Sequence, residues 1–440
     1  MGRWTTGAVC LVAGIGLAGC MQGGDGDQVS RFRTQSPEAA ERQAAREAVA
    51  RQKEAEASVI IRSLQARSSA LSSKSSYGQV ADAVLAASSR AAEAELRAAR
   101  LRATAASKNW LPRIGPNISL TSLGDFVASL IVEQVLFDNG RKKAEREFAK
   151  ADVEVAAVVL SDDTNGRVAE ALDLYVTAEE GRETAALSAQ TLKEMAHFEW
   201  VMEQRVAGGV SDLSDLNVLR HKLAQIRADG ARGQEMKTAA LAELNAMSAK
   251  PLSGVRGLTR VRVPADGNQS LALLQAEAEA ARKIAQARID RAGQLPGLTA
   301  SGQVGSDGSS GALRIAGDSL IGAGTGATLK AIALAEDAAK RQVAEAREDA
   351  ERTMRNLDAT LAAKRRQAAE ADELARQAKV TLDLFQTQFE AGTRKVMDVV
   401  GVYETYAQAE QKRITLKFEA ARVEIDIARE LGRLADGSAI

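Results

Sequence analysis

Three carboxylates stand where the helical pattern of this chain is interrupted. Asp212 and Asp215 follow the Gly208-Gly209 break, and Asp398 follows Gly392 by the same six residues that separate Asp215 from Gly209. An aspartate in the first turn of a helix accepts free backbone N–H groups and complements the helix dipole. The same carboxylates, repeated around the axis of a symmetric pore, would form rings that gate or select cations. Sequence leaves both roles open. Other chemistry is sparse. His197 and His221 are the only histidines, and they have no cysteine partners, so no metal site is expected. Gly322-Ala323-Gly324-Thr325-Gly326 lacks the Lys-Ser/Thr of a phosphate loop and the spacing of a dinucleotide fingerprint, and it reads as a flexible hairpin end. No nucleophile–base pair stands out, and the acidic residues fall at helical spacing opposite Arg and Lys, as on a solvated face. The expectation is a protein that is not an enzyme and carries no cofactor.

The elements that must position these residues follow from composition. The 440 residues carry 58 Lys+Arg against 58 Asp+Glu, which gives no electrostatic reason to bind nucleic acid. Aromatics make up 3% and prolines number six, so long helices are favoured over a compact α/β core. Both cysteines, Cys10 and Cys20, fall in the first 20 residues, which excludes a disulfide in the body of the protein. Met1-Gly2-Arg3-Trp4, an apolar run from Gly7 to Gly19 and then Cys20 form a secretory signal too short to span a bilayer. Leu17-Ala18-Gly19-Cys20 resembles the lipobox of bacterial lipoproteins, which implies cleavage before Cys20 and its lipidation; Met21 in place of Asp favours the outer membrane. Beyond the signal, no apolar stretch of about 20 residues occurs, so a membrane crossing would have to be a barrel.

Residues 21–35 read as a tether and Ser36 to about Ala66 as helix, followed by a serine-rich break and a helix from Gln79 to Asn109. At Ile114, Pro116, Ile118 and Leu120 the period changes to two, and with Phe126 to Phe137 this predicts a β-hairpin turning at Leu123-Gly124-Asp125. A helix then runs to about Ala207; at 1.5 Å per residue, roughly 70 residues reach about 100 Å. A returning helix, 211–249, ends at the Gly/Pro-punctuated segment 251–268. The order then starts again: a helix from Ser270, alternation at Leu298, Ala300, Gly302 and Val304, a Gly/Ser turn at 305–311, extended chain to about Leu329, a second long helix to Glu390 and a last helix to about Leu434. Pro112 and Pro296 are 184 residues apart, Gly209 and Gly392 are 183 apart, and so are Asp215 and Asp398. The chain is an internal duplication. Met354, Leu361, Ala368, Ala375, Leu382 and Phe389, with Leu357, Lys364, Ala371, Ala378 and Phe385, form an a/d seam along the second long helix.

Two hairpins supply four strands. Four cannot close a barrel, and an open sheet leaves unpaired edges that hydrocarbon does not tolerate, so several chains must share one barrel. The fold class expected is mainly α with a small β part.

Several stretches, in order and duplicated, resemble the TolC-like outer-membrane efflux and secretion channels. They are Leu111-Pro112-Arg113-Ile114; Leu136-Phe137-Asp138-Asn139-Gly140-Arg141; Arg205-Val206-Ala207-Gly208-Gly209 with Asp215-Leu216; Phe389-Glu390-Ala391-Gly392 with Asp398-Val399; and Ala428-Arg429-Glu430-Leu431-Gly432-Arg433-Leu434. The resemblance covers roughly residues 77–436. It implies a homotrimer with a shared twelve-strand barrel and a helical periplasmic tunnel. It also implies a periplasmic adaptor (membrane fusion) protein and an inner-membrane pump or ABC exporter as partners, in a tripartite efflux pump or type I secretion system. The chain then divides into a signal peptide (1–19), a lipidated tether and helix (20–76), a first repeat (77–250), an equatorial linker (251–269), a second repeat (270–436) and a tail (437–440). Gly209, Gly392 and Arg205 fall at adaptor-docking helix tips, and Asp212, Asp215 and Asp398 at a periplasmic gate. Two departures stand out: Ile321-Gly322-Ala323-Gly324-Thr325 replaces the Phe-Asp-Asn-Gly-Arg sequence in the second repeat, and its hairpin has no aromatic belt. A lipid-anchored periplasmic coiled-coil protein that tethers without conducting is the alternative reading.

Overall fold

Four of the described helices start where a short polar side chain takes a free backbone N–H. Ser58 accepts from Ile61 at 3.2 Å, Ser75 from Gly78 at 3.0 Å, Asp212 from Ser214 at 3.0 Å and Ser270 from Leu273 at 3.1 Å. In the computed structural model, which describes residues 58–87, 91–120, 126–263, 269–305, 308–317 and 322–440, these caps open α1 (Val59–Gln65), α2 (Ser76–Ala86), α5 (Leu213–Met247) and α6 (Leu271–Gly293). The other helices are α3 (Ala91–Ser107), α4 (Arg141–Ala207), α7 (Thr325–Glu390) and α8 (Val396–Glu430). The strands are β1 (Arg113–Leu120), β2 (Phe126–Phe137), β3 (Gly297–Gly305) and β4 (Gly308–Ala316). The signal segment, Cys20, the tether to residue 57 and the turn at 121–125 lie outside the described residues.

Three expectations need correction. Ser58 is extended (φ −131°, ψ 125°), so among the described residues the helix expected to run to Ala66 is Val59–Gln65, capped at Ser58. The helix expected from Gln79 to Asn109 is two helices, α2 and α3, because α2 ends at its cap Ala87. Extended chain does not reach Leu329: β4 ends at Ala316, where its partner β3 begins, and α7 starts at Thr325.

The four strands form one antiparallel sheet in the order β1-β2-β3-β4, with a bulge in β2 between Val135 and Phe137. The second hairpin is full-length, since all nine residues of β3 pair in unbroken register with β4. Each strand continues into, or arises from, one helix: α3 into β1, β2 into α4, α6 into β3 and β4 into α7. Near the sheet these helices pack side by side as α3–α4–α6–α7; farther away the order is α5–α4–α8–α7. The protomer is therefore four helical columns under four strands, with short helices sharing two columns and a single long helix filling each of the others. Among the described residues no helix is long and apolar enough to cross a membrane.

Burial is concentrated at three levels. Val153, Val158 and Leu160 of α4 meet Leu96, Leu271 and Leu274 near the sheet. At mid-height Tyr77 meets Tyr175 edge-on, with ring centroids 5.9 Å apart, amid Leu172, Phe418 and Ile425. There the 251–263 segment is fastened to α4, with Gly257 donating its N–H to Glu179 at 2.9 Å and accepting from Tyr175 Oη at 2.8 Å. The N-terminal segment and the tail clasp each other at the same height. Arg67, buried, donates to the carbonyls of Leu431 and Gln269 at 2.8 Å each, and Asn165 Oδ1 accepts from Leu434 N at 2.8 Å. The third cluster holds the two helix tips together.

Candidate functional site

The first tip is built by the close of α4. Gly209 adopts φ +74°, which L side chains rarely take, and this lets Val210 N–H reach the Arg205 carbonyl at 2.8 Å and Gly209 N–H reach that of Val206 at 3.0 Å. The second tip repeats the device: Gly392 has φ +75°, Thr393 N–H reaches Gln388 O at 2.9 Å, and Gly392 N–H reaches Phe389 O at 2.9 Å. The glycines expected at the tips are thus there for a turn only glycine makes cheaply. They are also exposed, with open space where a Cβ would stand.

The structure brings the two tips together. Met195, Phe198 and Met202 of α4, Leu216, Leu219 and Leu223 of α5, Leu382 of α7 and Val396, Val399 and Tyr403 of α8 share one core, and the Phe198 and Phe389 rings meet edge-on at 5.6 Å. Arg205, exposed, donates from Nε to Ser211 Oγ at 3.1 Å across its own turn.

Two of the three aspartates make capping hydrogen bonds in this protomer, and Asp215 lies in the first turn of its helix. Asp212 is the N-cap of α5. Asp215 and Asp398 occupy the same third position of α5 and α8, and Asp398 Oδ2 accepts from Lys395 N at 3.3 Å. All three are exposed at the tip end, the location a gate would need. His197 and His221 are exposed as well, His197 stacked on Trp200 with centroids 6.4 Å apart. Among the described residues no cluster of His, Cys, Asp or Glu could hold a metal ion.

Two polar ties between the hairpins were missed by sequence reasoning. Tyr403 of α8 donates to Glu194 of α4 at 2.8 Å, and Lys222 of α5 pairs with Glu404 of α8. Burial, reinforced by Glu194, pushes the Tyr403 phenol well above its usual pKa, so it remains a donor. Sequence offered only a weak signal: Lys222 and Glu404 are 182 residues apart, close to the repeat length.

At the other end the sheet has two unlike faces. Register places Ile114, Pro116 and Ile118 beside Val132, Leu130 and Ala128, and these beside Gly302 and Val304; Leu298 and Ala300 adjoin Ile315 and Leu313. The opposite face carries Arg113, Asn117, Ser129, Glu133, Thr299, Ser301, Gln303 and Arg314. Among the described residues nothing covers the apolar face: Leu313 is 71% and Ile315 75% exposed. Trp110 and Phe137, also exposed, mark the helix end of the sheet. The outer edges of β1 and β4 are unpaired within the protomer.

No protein-family model matches the chain, and no curated protein matches it in sequence. Solved structures do. A membrane protein from Pseudomonas aeruginosa superposes with a TM-score of 0.71 at 17% identity, over 82% of this chain and 91% of that one. The outer membrane protein VceC of Vibrio cholerae gives 0.70 at 16%, over 81% and 96%. The CmeC outer membrane channel of Campylobacter jejuni gives 0.67 at 11%, over 82% and 87%. At these identities the likeness is one of fold, and the fold is that of the TolC-like channels.

Proposed function

We propose that a chain with this fold is one subunit of an outer-membrane efflux channel, in which three copies close one barrel of twelve strands and continue it into a helical tunnel. The observation that carries this reading is the sheet. It has one apolar exposed face, one polar face and two open edges, and such a sheet is stable neither in water nor, left open, in lipid. Strands of nine residues at 3.3 Å each reach about 30 Å, or about 21–24 Å along the membrane normal at a tilt of 35–45°, close to the ~25 Å apolar band of a membrane barrel. Edge joining is head-to-tail, with β4 and α7 of one copy meeting β1 and the α3/α5 column of the next, and such an interface closes into a ring. That the solved structures of like fold include outer membrane channels supports the location and the conducting role.

The finer reading follows from this. Cys20 bears a lipid that anchors the chain to the outer membrane after removal of residues 1–19. The two tips, with Gly209, Gly392 and Arg205, dock a periplasmic adaptor that links the channel to an inner-membrane pump or ABC exporter. The Asp212, Asp215 and Asp398 rings narrow the periplasmic mouth. The protein is a passive conduit and not an enzyme.

The test is the native mass in mild detergent, together with conductance in planar bilayers. A mass near three chains and discrete conductance steps are expected. A monomer that does not conduct, reproducible across detergents, overturns the channel and leaves a tethered coiled coil. For docking, bulky substitution at both Gly209 and Gly392 should abolish export with trimers intact; unchanged export removes the docking role. An Asp212, Asp215 and Asp398 to Ala series with unaltered cation block removes the gate.

A further inference from the structure

The charges on the polar face of the sheet share one level. Arg113 stands opposite Glu133 across β1 and β2, and Glu133 stands opposite Ser301 of β3. Arg314 of β4 stands opposite Thr299, two residues farther along β3 toward the helices. From this level toward the hairpin turns, the described positions of the same face are uncharged: Gly115, Asn117, Ser129, Ile131, Gln303 and Ser310. Glu133 and Arg113 face each other directly, and opposite charges so placed attract and offset one another. Arg314 has no such counterpart. It is exposed and makes no ion pair among the described residues. On the lipid face an arginine near mid-membrane is strongly disfavoured, but Arg314 lies on the face that closure turns toward the lumen.

We propose that Arg314 sets an anion preference at the helix end of the barrel lumen, where its copies form a belt of surplus positive charge that favours small anionic solutes over cations. The inference rests on the shared-barrel reading. Among the described strand residues each chain contributes two arginines and one glutamate to this level, and Asp138, Arg141, Lys142 and Glu145, which line the same cavity as Arg113 and Glu133, balance one another, so the surplus among these residues is one positive charge per chain. A belt in a wide aqueous lumen acts over the Debye length, about 30 Å at 0.01 M salt and 3 Å at 1 M, so the preference belongs to dilute salt.

The experiment is reversal potential in a KCl gradient, measured on full-length trimers in planar bilayers at low and high salt. A second readout is block by inorganic tripolyphosphate added on the side of the sheet. Relative to the unmodified channel, R314Q should lower the chloride-to-potassium permeability ratio at low salt by about threefold, the factor for a potential change near half kT acting on the two ions in opposite directions. R314E should lower it further and relieve the tripolyphosphate block, and E133Q should raise the ratio. All three differences should vanish at 1 M salt. The second readout separates this belt from the aspartates at the far mouth, which a blocker entering from the sheet side meets last. Trimers that conduct with the same permeability ratio and the same block in R314E overturn the inference while leaving the channel intact. If E133Q and R314Q move the ratio in the same direction, surplus charge is not the cause and the inference fails. Trimers of the unmodified chain that pass no current overturn the channel reading itself.

Discussion

The two long helices occupy the same place in a duplicated repeat and have nearly the same length, 67 residues in α4 and 66 in α7. They are buried very differently. α4 has 25 buried residues, spread along its whole length, and α7 has five. The reason is position. α4 lies in an inner column and packs on α3, α5, α6 and α8, whereas the main partners of α7 are α6 and α8. On α7 burial follows the a/d seam and, nearer the sheet, Ala339 and Ala350, and Leu374, Val380 and Leu384 on the flank beside the seam are more than half exposed. One repeat supplies an inner wall and the other an edge, and on the reading proposed above that edge meets a second copy.

The contrast extends to how each long helix meets its returning partner. In the first hairpin α4 and α5 touch backbone to backbone: a Cβ on Gly181 would stand 2.5 Å from the Gly233 carbonyl oxygen, and one on Gly233 would stand 2.8 Å from that of Gly181. The repeat offset of 183 places Lys364 and Leu416 at these positions of the second hairpin. There the helices are spaced by side chains, and Lys364 reaches Glu419 at 2.8 Å. This explains the one charged residue in the a/d seam, since the site is a half-exposed ion pair and not a core position.

The largest effect should come from breaking the edge. Replacing Leu374, Val380 and Leu384 together by aspartate puts three desolvated charges per seam and should eliminate the trimer, with the folded protomer retained by its own core. Native mass spectrometry reads this directly; trimers that survive would show that this flank of α7 does not face another copy.

Next in size is the glycine crossing. Gly181→Leu forces a side chain between two backbones, and overpacking of this kind costs typically about 1–3 kcal/mol, with more expected where both neighbours are main chain. Lys364→Leu at the matching position should change stability by no more than about 1 kcal/mol, the usual worth of a half-exposed ion pair. Denaturant melts of the two variants test the comparison, and equal losses would mean the two hairpins are packed alike after all. Smaller still are the tips. Gly209→Ala and Gly392→Ala should each cost about 1–2 kcal/mol, the penalty of a left-handed backbone for an L residue, and the two should agree because the turns share three corresponding main-chain bonds.

Much of this architecture is legible in the sequence because it rests on periods. The seven-residue spacing from Met354 to Phe389 marks the positions of α7 that are partly or fully buried, and the alternation at Ile114, Pro116 and Ile118 marks β1 and its apolar face. The tips were legible through duplication, since Gly209 with Asp215 and Gly392 with Asp398 repeat in type and spacing. What sequence does not reveal depends on which helices touch. Gly181 and Gly233 read locally only as weak helix formers, and their meaning appears when α4 is laid against α5. The partners of Tyr403 and Lys222 are hidden for the same reason. The helix start at Ser58 was lost in a sequence pattern of Ala, Arg and Glu with helical spacing on both sides of it. The β4-to-α7 boundary was lost because Ala327, Leu329 and Ala331 satisfy a period of two as well as a helix.

The smallest effect lies at mid-height, in a groove lined by Asp162 of α4, Leu271 and Gln275 of α6, Leu357 of α7 and Glu430 at the end of α8. Burial raises the Glu430 pKa above the ordinary glutamate value; Arg429 opposes the rise and Asp162 adds to it. A carboxyl whose folded pKa lies above its unfolded one binds protons more readily in the native state, so stability falls as pH rises through the two values and the loss is constant above them. Glu430→Gln removes that loss. It should raise the thermal midpoint slightly at pH 7, and the gain should disappear below about pH 4, where the unfolded carboxyl is also protonated. Every residue of the groove belongs to one chain, so the gain should be the same in trimers and in the protomers released by the Leu374, Val380 and Leu384 substitutions. A gain seen only in trimers would place the groove at the seam between copies, and α7 would then be an edge along its full height rather than beside its a/d row alone.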